Sequence, residues 1–229
     1  MSQDETFGLS VATREIVATI VERRPRPRSQ TGSTAVLFYD SAALDFGFAW
    51  EAADQANRWL FPIQSEGPTF VYYVCLRLQQ LGYQIGQVLF ATAGQGALFY
   101  ATLASALPNS AGVVGLLPGD TQVHDFGGTL SSFAPGATVT LICSSTAADN
   151  TFEGTVYKGT DLVGPLAAYM NGKVVATDQA VVWNTNGTAS TPGNIWLGDP
   201  QSGSASILCP APGGGTSQNF PLTTSPICG

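Results

Sequence analysis

The chain predicts an all-β fold, a jelly roll or β-sandwich/barrel carrying one short helix and extended N- and C-terminal arms. Three observations lead there. Its 229 residues include 26 Gly and 14 Pro, which interrupt apolar runs often enough to favour turns over long helices. Beyond Pro118 the apolar runs GGTLSSF, ATVTLICSS, TFEGTVYKG, GKVVATDQAVVWN and GNIWLGD are short and separated by turn residues, the spacing of a sandwich or barrel. Charged residues make up only 11% of the chain, against roughly 25% in an average soluble domain, and Leu78 to Gly119 contains none. A surface so poor in charge implies cover by neighbouring subunits, or a coat of small polar residues.

Taken in order, residues 1–30 form a separate arm, 31–200 a β-rich domain and 201–229 an extended Ser/Gly/Pro-rich tail. Arg14 to Arg24 (REIVATIVERR) is rich in β-branched residues and reads as a strand. Pro25 and Pro27 then keep the chain extended. TAVLFYD (Thr34 to Asp40) reads as a buried strand, and AWEAADQANRWLF (Ala49 to Phe61) as the one helix, ended by Pro62. Phe70 to Gln79 alternates like a strand. Val88 to Leu107 is long enough to span a membrane, but Gly94-Gln95-Gly96 at its centre and the lack of flanking positive charge favour two strands joined by a turn. Residues 78–119 are thus expected to be buried in the core or against a neighbour. Asn171-Gly172 carries a hairpin signal. From Gln201 onward there is no charged residue, and the tail is expected to wrap a partner or to be loosely held.

Net charge is −7 and the pI about 4.4, which argues against wholesale binding to nucleic acid or anionic lipid. Five of the nine basic residues lie in the first 28 positions. Arg23, Arg24, Arg26 and Arg28 therefore mark the arm as either a nucleic-acid or acidic-partner contact or a linker that grips a neighbouring subunit. Residues 1–20 carry Asp4 and Glu5 and no continuous apolar stretch, unlike a secretory leader.

Few residues support catalysis. His124 is the only histidine; beside Asp125 it could orient an imidazole, but no G-x-S-x-G elbow accompanies it. The four cysteines lack C-x-x-C spacing, so zinc is not expected. Asp120 with Asp125 and Asp149 with Glu153 lack the ligand density of a calcium loop. No metal and no cofactor are expected. Cys75 and Cys143 sit in apolar runs and read as buried thiols, whereas Cys209 and Cys228 bracket the tail, where a loop-closing disulfide fits an oxidising compartment. Asn186-Gly187-Thr188 matches an N-glycosylation acceptor, although a turn after VVWNT accounts for the same letters. Trp183 and Trp196 flank it, either as strand-end anchors or, with Asn186, as a surface for glycan or receptor recognition.

The combined arm, charge-poor β body and Ser/Gly/Pro tail, with the strand–turn–strand stretch LICSSTAADNTFEGTVYKG (Leu141 to Gly159), resembles capsid and capsid-spike proteins of small non-enveloped viruses. That resemblance implies a jelly-roll subunit without enzymatic activity, located in the virion, which assembles with copies of itself or other shell subunits and contacts a host-surface receptor or glycan. Nucleic acid would be touched only through the arm, and no membrane is expected. The arm is short and the body acidic, which favours an outer-shell, minor or spike subunit. The alternative is a glycan- or receptor-binding β-sandwich module of a cell surface or phage tail. A third reading is a hydrolase acting through His124.

Overall fold

The computed structural model describes residues 10–23, 33–40, 43–64, 67–92, 121–143, 150–152, 155–157, 160–179, 181–213 and 215–220. They form an α/β protein, which overturns the all-β jelly roll or sandwich. In chain order the elements are α1 (Val11–Arg23), β1 (Thr34–Tyr39), α2 (Leu44–Ala52), β2 (Arg58–Pro62), α3 (Pro68–Gln80), β3 (Ile85–Thr92), α4 (Thr121–Phe133) and β4 (Thr138–Cys143). After these come β5 (Asn150–Phe152), β6 (Thr155–Tyr157), α5 (Thr160–Met170), β7 (Val174–Thr177), β8 (Val182–Trp183), β9 (Ala189–Thr191), β10 (Ile195–Gly198), β11 (Ala205–Cys209) and β12 (Gln218–Asn219).

The main sheet has seven strands in the order β11-β10-β7-β4-β3-β1-β2. From β2 to β7 all neighbours are parallel, and β10 and β11 extend the sheet antiparallel. Its central strands are apolar at consecutive positions: Val36, Leu37 and Phe38, Val88, Leu89, Phe90 and Ala91, and Val174, Val175 and Ala176 are all buried. Side chains on a strand alternate between faces, so these runs bury both faces, as parallel strands in α/β proteins do. One face receives Val36, Phe38, Val88, Phe90, Val139 and Leu141 together with α1, α3, α4 and α5. The other receives Leu37, Leu60, Leu89, Ile142 and Val175 together with α2 and the small sheet β12-β9-β8. The chain moves outward from β1 to β2 with α2 on one face, then reverses direction to β3 with α3 on the other. The face must switch with the direction if every crossover is to be right-handed.

Several sequence expectations fail because helical periodicity was hidden by β-branched composition. Arg14 to Arg24 is not a strand: α1 covers Val11–Arg23 and buries Thr13, Val17 and Ile20, which recur at helical spacing. Ser10 caps it, with its Oγ accepting the Thr13 N–H at 3.2 Å. Phe70 to Gln79 is likewise α3, started by Pro68 after Gly67 and burying Phe70, Val71, Val74, Cys75 and Leu78. The expected helix at Ala49 to Phe61 splits: Trp50 ends up in α2 and Leu60 in β2. GGTLSSF belongs to α4 rather than to a strand.

Asn171-Gly172 is a helix end, not a hairpin. Gly172 N–H donates to Ala167 O (3.1 Å) and Asn171 N–H to Ala168 O (3.2 Å), with Asn171 at φ 49, the Schellman pattern that closes α5. Of the uncharged run, Leu78, Tyr83, Ile85 and Val88 to Ala91 are buried, but Gln79, Gln80, Gly82 and Gln84 are exposed. Residues 93–119, including Gly94-Gln95-Gly96, lie outside the described residues. The described part of the tail is also not a free extension, because β11 is a strand of the main sheet and β12 pairs with β9.

An aromatic group ties the central strands to the helices. Phe38 of β1 has its ring centroid 5.4 Å from Phe90, 6.0 Å from Phe61 and 5.9 Å from Phe70 of α3, and Phe90 lies 5.8 Å from Phe126 of α4. Phe38 is fully buried, so truncation leaves a cavity under three neighbours. Phe38→Ala is expected to lower the unfolding free energy by about 4 kcal/mol, read as a shift of the urea midpoint. A loss below about 1 kcal/mol would place Phe38 outside the stabilising core.

Candidate interaction site

Open α/β sheets offer a crevice at the carboxyl ends of their strands where strand order reverses, here between β1 and β3. Asp40 stands there, 5% exposed; its N–H donates to Ala91 O (3.0 Å) and its carbonyl accepts from Ala43 N–H (3.0 Å). Thr92 of β3 and Cys143 of β4 are in register at the next strand ends, and the segments following both lie outside the described residues.

Past β7, Asp178 forms a node. Its carboxylate accepts from Asn194 N–H (2.7 Å), Asn194 Nδ2 (2.8 Å) and Trp196 Nε1 (3.0 Å). Asn194 Oδ1 in turn accepts from Ala211 N–H (2.9 Å). Nearby, Thr177 Oγ1 and Thr191 Oγ1 are 3.0 Å apart, and Gln218 Nε2 donates to Gly193 O (2.7 Å) and Cys209 O (3.2 Å). This network joins β7, β10, the small sheet and the chain after β11 into one unit. Neither Asp178 nor Gln218 was singled out by sequence, since isolated polar residues carry no spacing signal.

The proposed recognition residues fall apart geometrically. Trp196 lies on β10, spends its indole N–H on Asp178 and packs with the helix-bearing face of the sheet. Trp183 lies on β8 and packs with the opposite face, its ring 5.3 Å from Phe46 of α2. They therefore flank no common surface. Asn186 sits on the β8–β9 turn: its Oδ1 accepts from Thr188 N–H (3.1 Å) and Thr188 Oγ1 (2.7 Å). Gly187 has φ +77, and a Cβ there would lie 2.7 Å from Trp50 N, so the turn rests directly on α2 and requires glycine.

Arg23 is the last residue of α1; Arg24, Arg26 and Arg28 lie outside the described residues. His124 is on α4, exposed, with Nδ1 3.1 Å from Asp125 Oδ1 and its ring against Tyr169 at 4.7 Å. Side-chain exposures of 67% and 85% for His124 and Asp125 leave the pair in water rather than in a cleft. Among the described residues no group of three or more His, Cys, Asp or Glu could hold a metal ion. No described helix is long and apolar enough to cross a membrane. Comparison with protein-family models, curated proteins and solved structures finds no match. Fold and site together define a doubly wound α/β protein whose described polar network serves to hold its antiparallel margin in place.

Cysteine chemistry supports that margin. Cys75 is free and buried, and burial pushes its thiol up to about 12. Cys209 is fully buried and disulfide-bonded. Cys209 pairs across β10 with Ile195, and Ile195 with Thr177 of β7, so Cys143 on β4 is three strand spacings away, about 14 Å. A disulfide needs Cα atoms within about 7 Å. Cys228, which lies outside the described residues, is the remaining cysteine.

Two measurements follow. Non-reducing peptide mapping is expected to recover Cys209 joined to Cys228, with Cys75 resisting alkylation until the protein is denatured. A Cys209 peptide joined to Cys75 or Cys143, or alkylated without reduction, would contradict this. Asp178→Ala orphans the donors of Asn194 and Trp196 and is expected to cost about 3 kcal/mol, seen as an earlier urea transition. An unchanged midpoint would show the node to be dispensable.

Proposed function

We propose that the protein is a structural subunit that acts by joining copies of itself along the β11 edge, without catalysing a reaction. The observation carrying this reading is the contrast between the two margins of the main sheet. An edge strand presents unpaired N–H and C=O groups, and natural sheets blunt such edges with charge, proline or a bulge. At one margin β2 carries Arg58 and Pro62. At the other, β11 (ASILC) carries no charge and no proline, its one bulge falls at Leu208 near the strand end, and no charged residue occurs from Gln201 to Gly229.

Among the described residues no strand pairs with the outer side of β11 at Ala205 to Ile207. Ser206 is exposed and Ile207 is 49% exposed. A register shift between Ile195 and Trp196 puts Ile195 opposite Cys209 and Trp196 opposite Ile207, so Leu208 is bulged and Ala205 to Ile207 remain the regular part of the strand. A two-fold axis beside that segment would pair β11 with β11 of a second copy, extending the antiparallel run β7–β10–β11 across an isologous contact. The partner is then a copy of this chain. A virion shell or spike is the setting favoured by the charge-poor composition; assembly is retained from the resemblance to capsid and spike subunits, and the jelly roll is not.

Sedimentation velocity at micromolar concentration is expected to show self-association. Ile207→Lys places a charge on the open strand and is expected to shift the population to monomer with an unchanged circular dichroism spectrum. A wild-type chain that stays monomeric, or an Ile207→Lys variant that associates equally well, would overturn the reading.

A further inference from the structure

We propose that Asn186 is a site of N-linked glycosylation, and that the glycan lies beside α2. The proposal is independent of the β11 contact, because it concerns the other strand system and a different residue set. Asn186-Gly187-Thr188 has the acceptor pattern of a residue other than proline between Asn and a hydroxyl residue. The structure adds that this triplet occupies the connection between β8 and β9, closed by Asn184 N–H to Thr188 O (3.0 Å) and Gly187 N–H to Asn184 O (3.1 Å). Asn186 and Thr188 are both exposed.

Within the turn the Thr188 hydroxyl donates to Asn186 Oδ1 at 2.7 Å, and Thr188 N–H donates to the same oxygen at 3.1 Å. Both contacts occupy the amide oxygen and leave the amide nitrogen, Nδ2, facing away from them. Nδ2 is the atom that carries the sugar. In the transfer it attacks the anomeric carbon of a lipid-diphosphate-linked oligosaccharide: the C–N bond forms, the bond from that carbon to the diphosphate oxygen breaks, the lipid diphosphate leaves and the amide proton passes to base. Nothing is oxidised or reduced.

Two further observations point the same way. A disulfide at Cys209 is the kind of bond that persists in an oxidising compartment, where such transfer takes place. The turn also rests on α2 at Ala49 and Trp50, next to Phe48 and one helical turn from Leu44, which are 55% and 38% exposed. Asp45 is the exposed charge among these side chains, and a hydrated oligosaccharide emerging from Asn186 would screen the apolar ones.

The test is glycopeptide mapping of the full chain from its native source, before and after treatment with peptide N-glycosidase. The Asn186 peptide is expected to carry an N-acetylhexosamine-based glycan and to be converted by the enzyme to a peptide with Asp at position 186. Native material in which that peptide has its unmodified mass overturns the proposal. In the full chain secreted from a eukaryotic cell, Thr188→Ala is expected to abolish the modification and Thr188→Ser to retain it. Because both variants alter the same side chain, loss in the first alone excludes misfolding as its cause. A glycan that persists at Asn186 in Thr188→Ala would equally overturn the role assigned to the hydroxyl.

Discussion

The structure depends on one constraint: β1, β3 and β7 are apolar on both faces, and β4 between them buries Thr138 and Thr140 beside Ile142 on one face and Val139 and Leu141 on the other, so neither face can be left to water. Leu37 and Phe38, or Leu89 and Phe90, are neighbours in sequence yet point into different cores, and each contributes about 2 kcal/mol of transfer free energy by being covered. Four helices cover one face. The other is covered by α2 over β1 and β2, and by the small sheet toward β7 and β10. The layers of the molecule, the placement of α2 apart from the other helices and the folding-back of the tail all answer to that requirement.

Covering the second face with a three-stranded sheet creates a further problem, since strands of two or three residues have little cohesion of their own. Side-chain chemistry supplies what the short ladders lack. Asp178 gathers Asn194 and Trp196, Gln218 spans Gly193 and Cys209, and the Thr177–Thr191 hydroxyl contact joins the two sheets. A covalent bond at Cys209 then holds the end of β11. The same constraint accounts for Gly187: the β8–β9 turn can seat against the Trp50 backbone only without a side chain, while Arg58 donates to Trp50 O at 2.8 Å and lies over its ring. The polar residues of this region thus do the mechanical work that apolar packing does elsewhere.

Much of the fold was legible in the apolar runs but was assigned to the wrong class. TAVLFY and TVTLIC were recognisable as strands, and both are. The unbroken apolar run of TAVLFY was the sign of a parallel strand buried on both faces, which the abundance of Gly and Pro and the short C-terminal runs outweighed. The helices were hidden for a definite reason. α1 and α3 are built from Val, Ile, Thr, Phe and Tyr, residues of high strand propensity, and tertiary burial at spacings of three and four overrode that preference. In α3 the sequence does carry the necessary mark, Pro68 at the helix start. At the site the local chemistry was readable at Cys209 and at the Asn186 turn. The partnership of Asp178 with Trp196, eighteen positions away, could not be read, because it exists only once β7 and β10 lie side by side.

Charge scarcity takes on a different meaning once the layers are known. In the described sheet, uncharged stretches such as Gln87 to Ala91 are uncharged because both faces are interior, and they need no neighbour to explain them. The scarcity that remains unexplained by the core is at the margin: Ala205 to Ile207, and Leu44 and Phe48 on α2. Those two places differ in what can satisfy them. An open strand has directional hydrogen-bonding groups that another strand matches along its length, whereas the exposed side of α2 sets Leu44 and Phe48 beside the charged Asp45 and needs nothing more than hydrated cover. A strand from a second copy answers the first, and a hydrated oligosaccharide from the adjoining turn answers the second, so the two surfaces require different partners although the same lack of charge produced both.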